Sequence, residues 1–224
     1  IFLGVKPQTM AQMLLPLQPI LTGRRTPFVL VSMAAGVAIE ALQDMAGGRY
    51  PVVRIMPNTA CAVGAGMTTY TCSAEVTDRQ RQAVLDALAA SGLLEEIEEG
   101  LMGAASAVAG CGGAYACLFL EGLADGGVLC GLPRKKAQRM AAQMLLGMAT
   151  QALESDEHTG TLKDAVCSPA GSTIAGIRKL ESMSFRSAAM EATAADSLSD
   201  TTATAAGLLA MLIAKWTGLD IDGW

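Results

Sequence analysis

The chain has 224 residues, of which 51% are hydrophobic but only 4% aromatic, and it carries a formal net charge of −5 with a pI near 4.9. That balance argues against nucleic acid as the main partner, because a polyanion needs a basic face. Six cysteines without a CxxC pair, beside a single histidine, argue against a Cys/His metal centre, so no metal is expected. The same cysteines read as reduced, buried small hydrophobes of a cytoplasmic protein.

Residues 1–5 form an apolar run with no turn before it, which reads as the inside of a buried parallel strand and suggests that a further portion precedes it. Residues 9–17 predict a short helix bracketed by Pro7 and Pro19. Strand signals follow at 28–33, 52–56 and 68–72, with a helix at 39–45 between the first two. Asp78 is expected to cap a helix running to about residue 90, and 93–97 reads as a last short strand. Apolar runs separated by helices predict a parallel sheet with crossover helices, whose ligands bind beyond the carboxyl ends of the strands. Those ends carry Lys6-Pro7, then Ala34-Ala35-Gly36, then Pro57-Asn58-Thr59.

From about Gly100 the pattern is helical, with the boundary of two domains placed at residue 99. Gly112 opens a long segment to about residue 128, and Pro133 sits where a first-turn proline is tolerated, ahead of a helix to about residue 153. A turn is expected at Gly160, after which 162–166 ends in the Ser-Pro loop, and helices follow from Ser172 to about residue 180 and from about Phe185. The most apolar tail segment, 207–214, is shorter than the ~20 residues that span a bilayer, so no membrane partner is expected. The Ala/Thr-rich tail from Thr201 suggests no role.

The stretch KDAVCSPAGSTIAG (163–176) runs a Ser-Pro turn straight into a helix. Uncapped N–H groups and a positive dipole end at a helix start suit a carboxylate. Ser168 and Thr173 add hydroxyls that donate and accept. The plainer alternative is ordinary capping by these side chains.

This stretch resembles the Lys-Asp-x-Val-x-Ser-Pro-Gly-Gly-Thr-Thr-Ile signature of the pyrroline-5-carboxylate reductases. VKPQ at 5–8, SMAAGV at 32–37, RIMPNTACAVGAGMT at 54–68, GGAYACLFLEGLADGGVLCGLPR at 112–134 and AAQMLLGMA at 141–149 follow the family's order, to about Ala195. The resemblance implies a partial Rossmann-like parallel sheet followed by an all-helical dimerisation domain, and NADPH or NADH as cofactor. It implies reduction of 1-pyrroline-5-carboxylate to L-proline by hydride transfer to a cyclic imine. It sets Gly4, Val5, Lys6 and Pro7, then Met33, Ala34 and Ala35, then Asn58, beside the dinucleotide, with Ala165 and Val166 brushing it. Ser168, Gly171, Ser172 and Thr173 would hold the substrate, Asp156 would neighbour its amine, and Thr173 would meet the ring nitrogen. The helical part would pair with a second chain, giving a dimer or a ring of dimers with its crevice built from both.

Departures from the family pattern also stand in the sequence. A GxGxxG turn does not occur in these residues. Ala109, Cys111 and Gly113 replace the serines and proline of Ser-Gly-Ser-Gly-Pro, and Gly103 stands for Asp. A non-catalytic helical dimerisation module, decayed from this family, is therefore the alternative, and another imine or keto-acid reductase is a third. His158 reads as a structural or solvated loop residue, and Asp164 as a local partner of Lys163 or a helix cap.

Overall fold

The computed structural model describes residues 1–195. Strands β1 (Phe2–Leu3), β2 (Leu30–Ser32), β3 (Val52–Pro57), β4 (Gly66–Cys72) and β5 (Gly92–Glu96) form one sheet in sequence order. β1, β2 and β3 are mutually parallel, and β4 and β5 are parallel to each other. The purely parallel sheet expected from the pattern fails at one junction, because β4 runs antiparallel to β3. Their connection, residues 58–65, holds only a 3-10 turn at Thr59–Val63, whereas a parallel crossover needs about a dozen residues or more.

Successive side chains of a strand point to opposite faces, so a sheet covered on both sides reads as a continuous apolar run. β3 behaves this way. Val52 joins Leu3, Met10, Leu14, Leu30 and Leu42 beneath α1 (Met10–Leu14) and α3 (Ile39–Ala46). Val53 and Ile55 join Val31, Tyr70 and Val84 beneath α4 (Asp78–Leu88).

Two local readings are corrected. Pro19 does not end the first helical stretch: α1 passes through a 3-10 turn at Leu15–Leu17 into α2 (Gln18–Gly23), where Pro19 lies in the first turn and has no helical N–H bond to lose. The cap of α4 is Thr77, not Asp78. Its hydroxyl accepts from the Gln80 N–H while the Gln80 side chain takes the Thr77 N–H, a capping box.

Among the described residues no strand follows Glu96. A 3-10 turn at Glu99–Leu101, α5 (Met102–Ala105) and a π-helical turn at Ser106–Cys111 close the sheet unit, Ile1–Cys111. Glu99 Oε1 accepts the Ile39 N–H at 2.7 Å, the first amide of α3, and lies 3.4 Å from the guanidinium of buried Arg54.

The second unit, Gly112–Ala192, contains α6 (Gly112–Leu129), α7 (Arg134–Glu154), α8 (Thr159–Ala165) and α9 (Ser172–Ser182), and residues 185–195 are again helical. α6 and α7 approach closely through small residues: a Cβ on Gly127 would meet that of Ala137 at 3.2 Å. Gly160 lies inside α8 instead of in the expected turn, because His158 caps that helix by accepting the Gly160 N–H on Nδ1. Glu99–Leu129 is long and apolar enough to cross a membrane by length and composition. The sequence reading passed over it because its apolar character is spread over alanines and glycines. The tail segments at 201–224 lie outside the described residues.

Candidate active site

Three adjacent parallel strands deliver their carboxyl ends to one edge of the sheet. The loops beginning at Gly4, Met33 and Asn58 therefore emerge side by side. A Cβ built on Gly4 would meet nothing within 4 Å, so the backbone there is open to a ligand. Lys6 is exposed and Val5 and Pro7 half-buried. In the second loop Met33 and Ala35 are exposed, whereas Ala34 is buried and its N–H donates to Ser32 Oγ at 3.3 Å. In the third, Asn58 is half-buried and its carboxamide is engaged with protein: Oδ1 accepts the Met67 N–H and Nδ2 donates to the Ala109 carbonyl. In open α/β sheets ligands bind beyond such carboxyl ends.

The remaining candidates belong to the helical unit. Asp156 is exposed in the turn between α7 and α8, beside His158. Lys163 and Asp164 pair locally at 2.7 Å, and this hydrogen bond holds the lysine ammonium above its ordinary pKa. Ala165 and Val166, at the end of α8, are exposed.

The turn at Ser168–Gly171 then leads into α9. Its N-cap is Gly171, and no side chain caps the helix. The plain capping alternative for Ser168 and Thr173 is thus not what the structure shows. Ser168 instead packs against Gly171, where an added Cβ would lie 2.4 Å from the serine Oγ and 3.1 Å from the Ser168 carbonyl, so a larger residue would have to turn the serine hydroxyl away. Ser168, Ser172 and Thr173 are exposed around the helix start. An open groove of about 640 Å³ continues along this flank, lined by Gly171, Ile174, Arg178 and Lys179 among others. The uncapped N–H groups and the three hydroxyls suit a small carboxylate.

The sequence reading missed one feature of this loop. Ala170, where the family signature has glycine, adopts φ 57°. A side chain in the left-handed region costs about 1–2 kcal/mol. Glycine would relieve that strain but loses up to ~1 kcal/mol in unfolded-chain entropy, so Ala170→Gly should stabilise by about 0.5–1 kcal/mol. The expected result is a thermal midpoint a few degrees higher. An unchanged or lower midpoint would show that the turn is not strained.

Fold and loops together define a class: a Rossmann-like α/β unit followed by an apolar helical unit. A family model described as pyrroline-5-carboxylate reductase dimerisation matches residues 99–211. A pyrroline-5-carboxylate reductase of Synechocystis sp. is 43% identical over 192 residues, covering 86% of this chain and 70% of that protein. The Escherichia coli enzyme is 41% identical over the same shares. The crystal structure of a Plasmodium falciparum pyrroline carboxylate reductase with NADP bound is similar with a TM-score of 0.82 and 34% identity, over 90% of this chain and 76% of that one. The chain belongs to the pyrroline-5-carboxylate reductase family.

Proposed function

We propose that this chain reduces 1-pyrroline-5-carboxylate to L-proline with NADPH or NADH, as a homodimer or ring of dimers, in the cytoplasm. Family membership supplies the reaction. The observation that carries it onto particular residues is the uncapped start of α9, with Ser168 against Gly171 and hydroxyls at Ser172 and Thr173. The six cysteines are free thiols, which favours a reducing compartment, although none is buried as the composition suggested: Cys117 and Cys130 are exposed and the other four half-buried. Neither nucleic acid nor a membrane enters this reading.

Residues 1–99 serve the dinucleotide and 100–224 serve self-association and substrate, a division that falls somewhat ahead of the change of compact unit at Cys111 and Gly112. At the sheet edge, open backbone at Gly4 and the small residues Ala34 and Ala35 fit a flat ring, with Val5, Lys6, Pro7, Met33 and the Asn58 loop around it. These residues fit the nicotinamide half. A glycine-rich turn for the pyrophosphate does not occur in the 224-residue sequence.

When bound, the dinucleotide supplies the hydride that the imine carbon takes, while the imine nitrogen takes a proton. The protein binds, orients and moves that proton. First-turn amides of α9 and the Ser168 hydroxyl hold the substrate carboxylate. Thr173 Oγ1 hydrogen-bonds the ring nitrogen, and Asp156 adds negative charge beside it. Ala165 and Val166 give an apolar wall that keeps water off the ring faces. Holding two reactants in one orientation accounts for much of such a rate enhancement. Retention of this complete hydroxyl-lined helix start favours the enzyme over a decayed dimerisation module.

The test is loss of NADPH or NADH absorbance with 1-pyrroline-5-carboxylate. It is run on the 224-residue chain and on the same residues preceded by whatever part of the Synechocystis relative lies ahead of the matched region. Turnover by either supports the reading, and no turnover by either overturns it.

A further inference from the structure

We infer that Asn58 is a positioning residue: its carboxamide ties the loop after β3 to both the start of β4 and the π-helical turn at Ser106–Cys111, and so sets the floor of the nicotinamide site without contacting the reacting atoms. The inference rests on the reductase reading above.

The pairing of β3 with β4 ends at Pro57 opposite Thr68. One step further along the register, Asn58 stands opposite Met67. There the bond is made by a side chain: Asn58 Oδ1 accepts the Met67 N–H at 3.2 Å. The other end of the same amide reaches 51 residues along the chain, where Nδ2 donates to the Ala109 carbonyl at 2.9 Å. Asn58 also starts the next turn, its own carbonyl accepting the Cys61 N–H at 3.1 Å. One half-buried side chain thus joins three segments of the sheet unit.

The Ala109 end is a conspicuous place for such a bond. Ser106–Cys111 is π-helical, a conformation that is rare and occurs mostly as single turns, often at functional sites. A π turn widens the helix and displaces its carbonyls from the regular ladder, which lets a side chain from another element bond one of them. Asparagine is suited to this because it presents an acceptor and a donor on one short, planar group. A loop fixed on two sides holds its backbone to fractions of an ångström. Misplacing a reacting partner by about 1 Å can lower a rate by about a hundredfold.

Two variants test it. Asn58→Asp keeps volume and the acceptor toward Met67 but loses the donor toward Ala109. Asn58→Ala loses both. Amide hydrogen exchange is read first, without cofactor. The expected result for Asn58→Asp is exchange at 106–111 about tenfold faster, with protection in β2 and β3 unchanged. Kinetics on the active preparation should show kcat lowered about tenfold or more with both Michaelis constants within about threefold, and Asn58→Ala should fall further. Unchanged exchange at 106–111 overturns the tie. A raised Michaelis constant for the dinucleotide at constant kcat overturns positioning in favour of direct ligand contact. Loss of protection throughout the sheet overturns it in favour of a general structural role. A wild-type preparation that does not turn over overturns the reductase reading instead, while the exchange rates judge the tie alone.

Discussion

Thr173→Ala should lower kcat/KM for 1-pyrroline-5-carboxylate by about ten- to a hundredfold. That is what losing one hydrogen bond to a charged group, about 1.5–3 kcal/mol, amounts to when it is made in the transition state. Thr173 is the second residue of α9, exposed at a helix start that no side chain caps. Its hydroxyl is therefore available to the ring nitrogen, whose charge changes during reaction. Ser168→Ala should differ in kind. A serine that holds the carboxylate holds ground and transition states alike, so the Michaelis constant rises while kcat stays. Since neither hydroxyl caps α9, both variants should melt close to wild type. Thermal midpoints and steady-state kinetics on the same preparations decide. A lowered midpoint with unchanged kinetics would return these hydroxyls to a structural role.

The second large effect concerns self-association. α6 has 18 residues, of which only Ala124 is buried, and along the 21 residues of α7 only Ala137 and Ala141 are buried. Leu118, Leu129, Leu146 and Leu153 are each more than half exposed. An apolar helix left so bare needs a partner, and the dimerisation family that matches residues 99–211 makes that partner a second copy. Burying one leucine contributes about 2 kcal/mol. A two-fold interface counts each change twice, so Leu118→Glu should weaken a dimer by at least ~4 kcal/mol, or about a thousandfold. Light scattering should give a dimer or larger for wild type and a monomer for Leu118→Glu combined with Leu146→Glu. A monomeric wild type at micromolar concentration, or a double variant that stays dimeric, would contradict this.

Local chemistry made much of the fold legible. The Val52 run, Pro133 ahead of α7 and the apolar spacing of α3 each sit where periodicity and proline rules put them. What escaped is long-range or depends on connection length. The direction of β4 is decided by how little chain lies between Pro57 and Gly66, not by its own residues. Glu99 meets the Ile39 amide 60 residues away, and no local pattern announces that pairing. The strained backbone at Ala170 was readable only as a non-glycine in a glycine position. For the site, the motif located the loops but not their bonding: nothing in Pro57-Asn58-Thr59 reveals that Asn58 is tied to Ala109.

The bond between Glu99 and α3 has a consequence for selectivity. Two helices in this chain begin next to candidate ligand loops, and each start is a positive pole. At α3 the protein supplies its own anion, since Glu99 Oε1 sits on the first amide at 2.7 Å with Arg54 behind it. A carboxylate arriving from solution would have to displace a tethered competitor at effectively high local concentration. At α9 no such competitor caps the helix. The chain thus supplies its own anion at the start of α3, while the first amides of α9 are left without a side-chain cap.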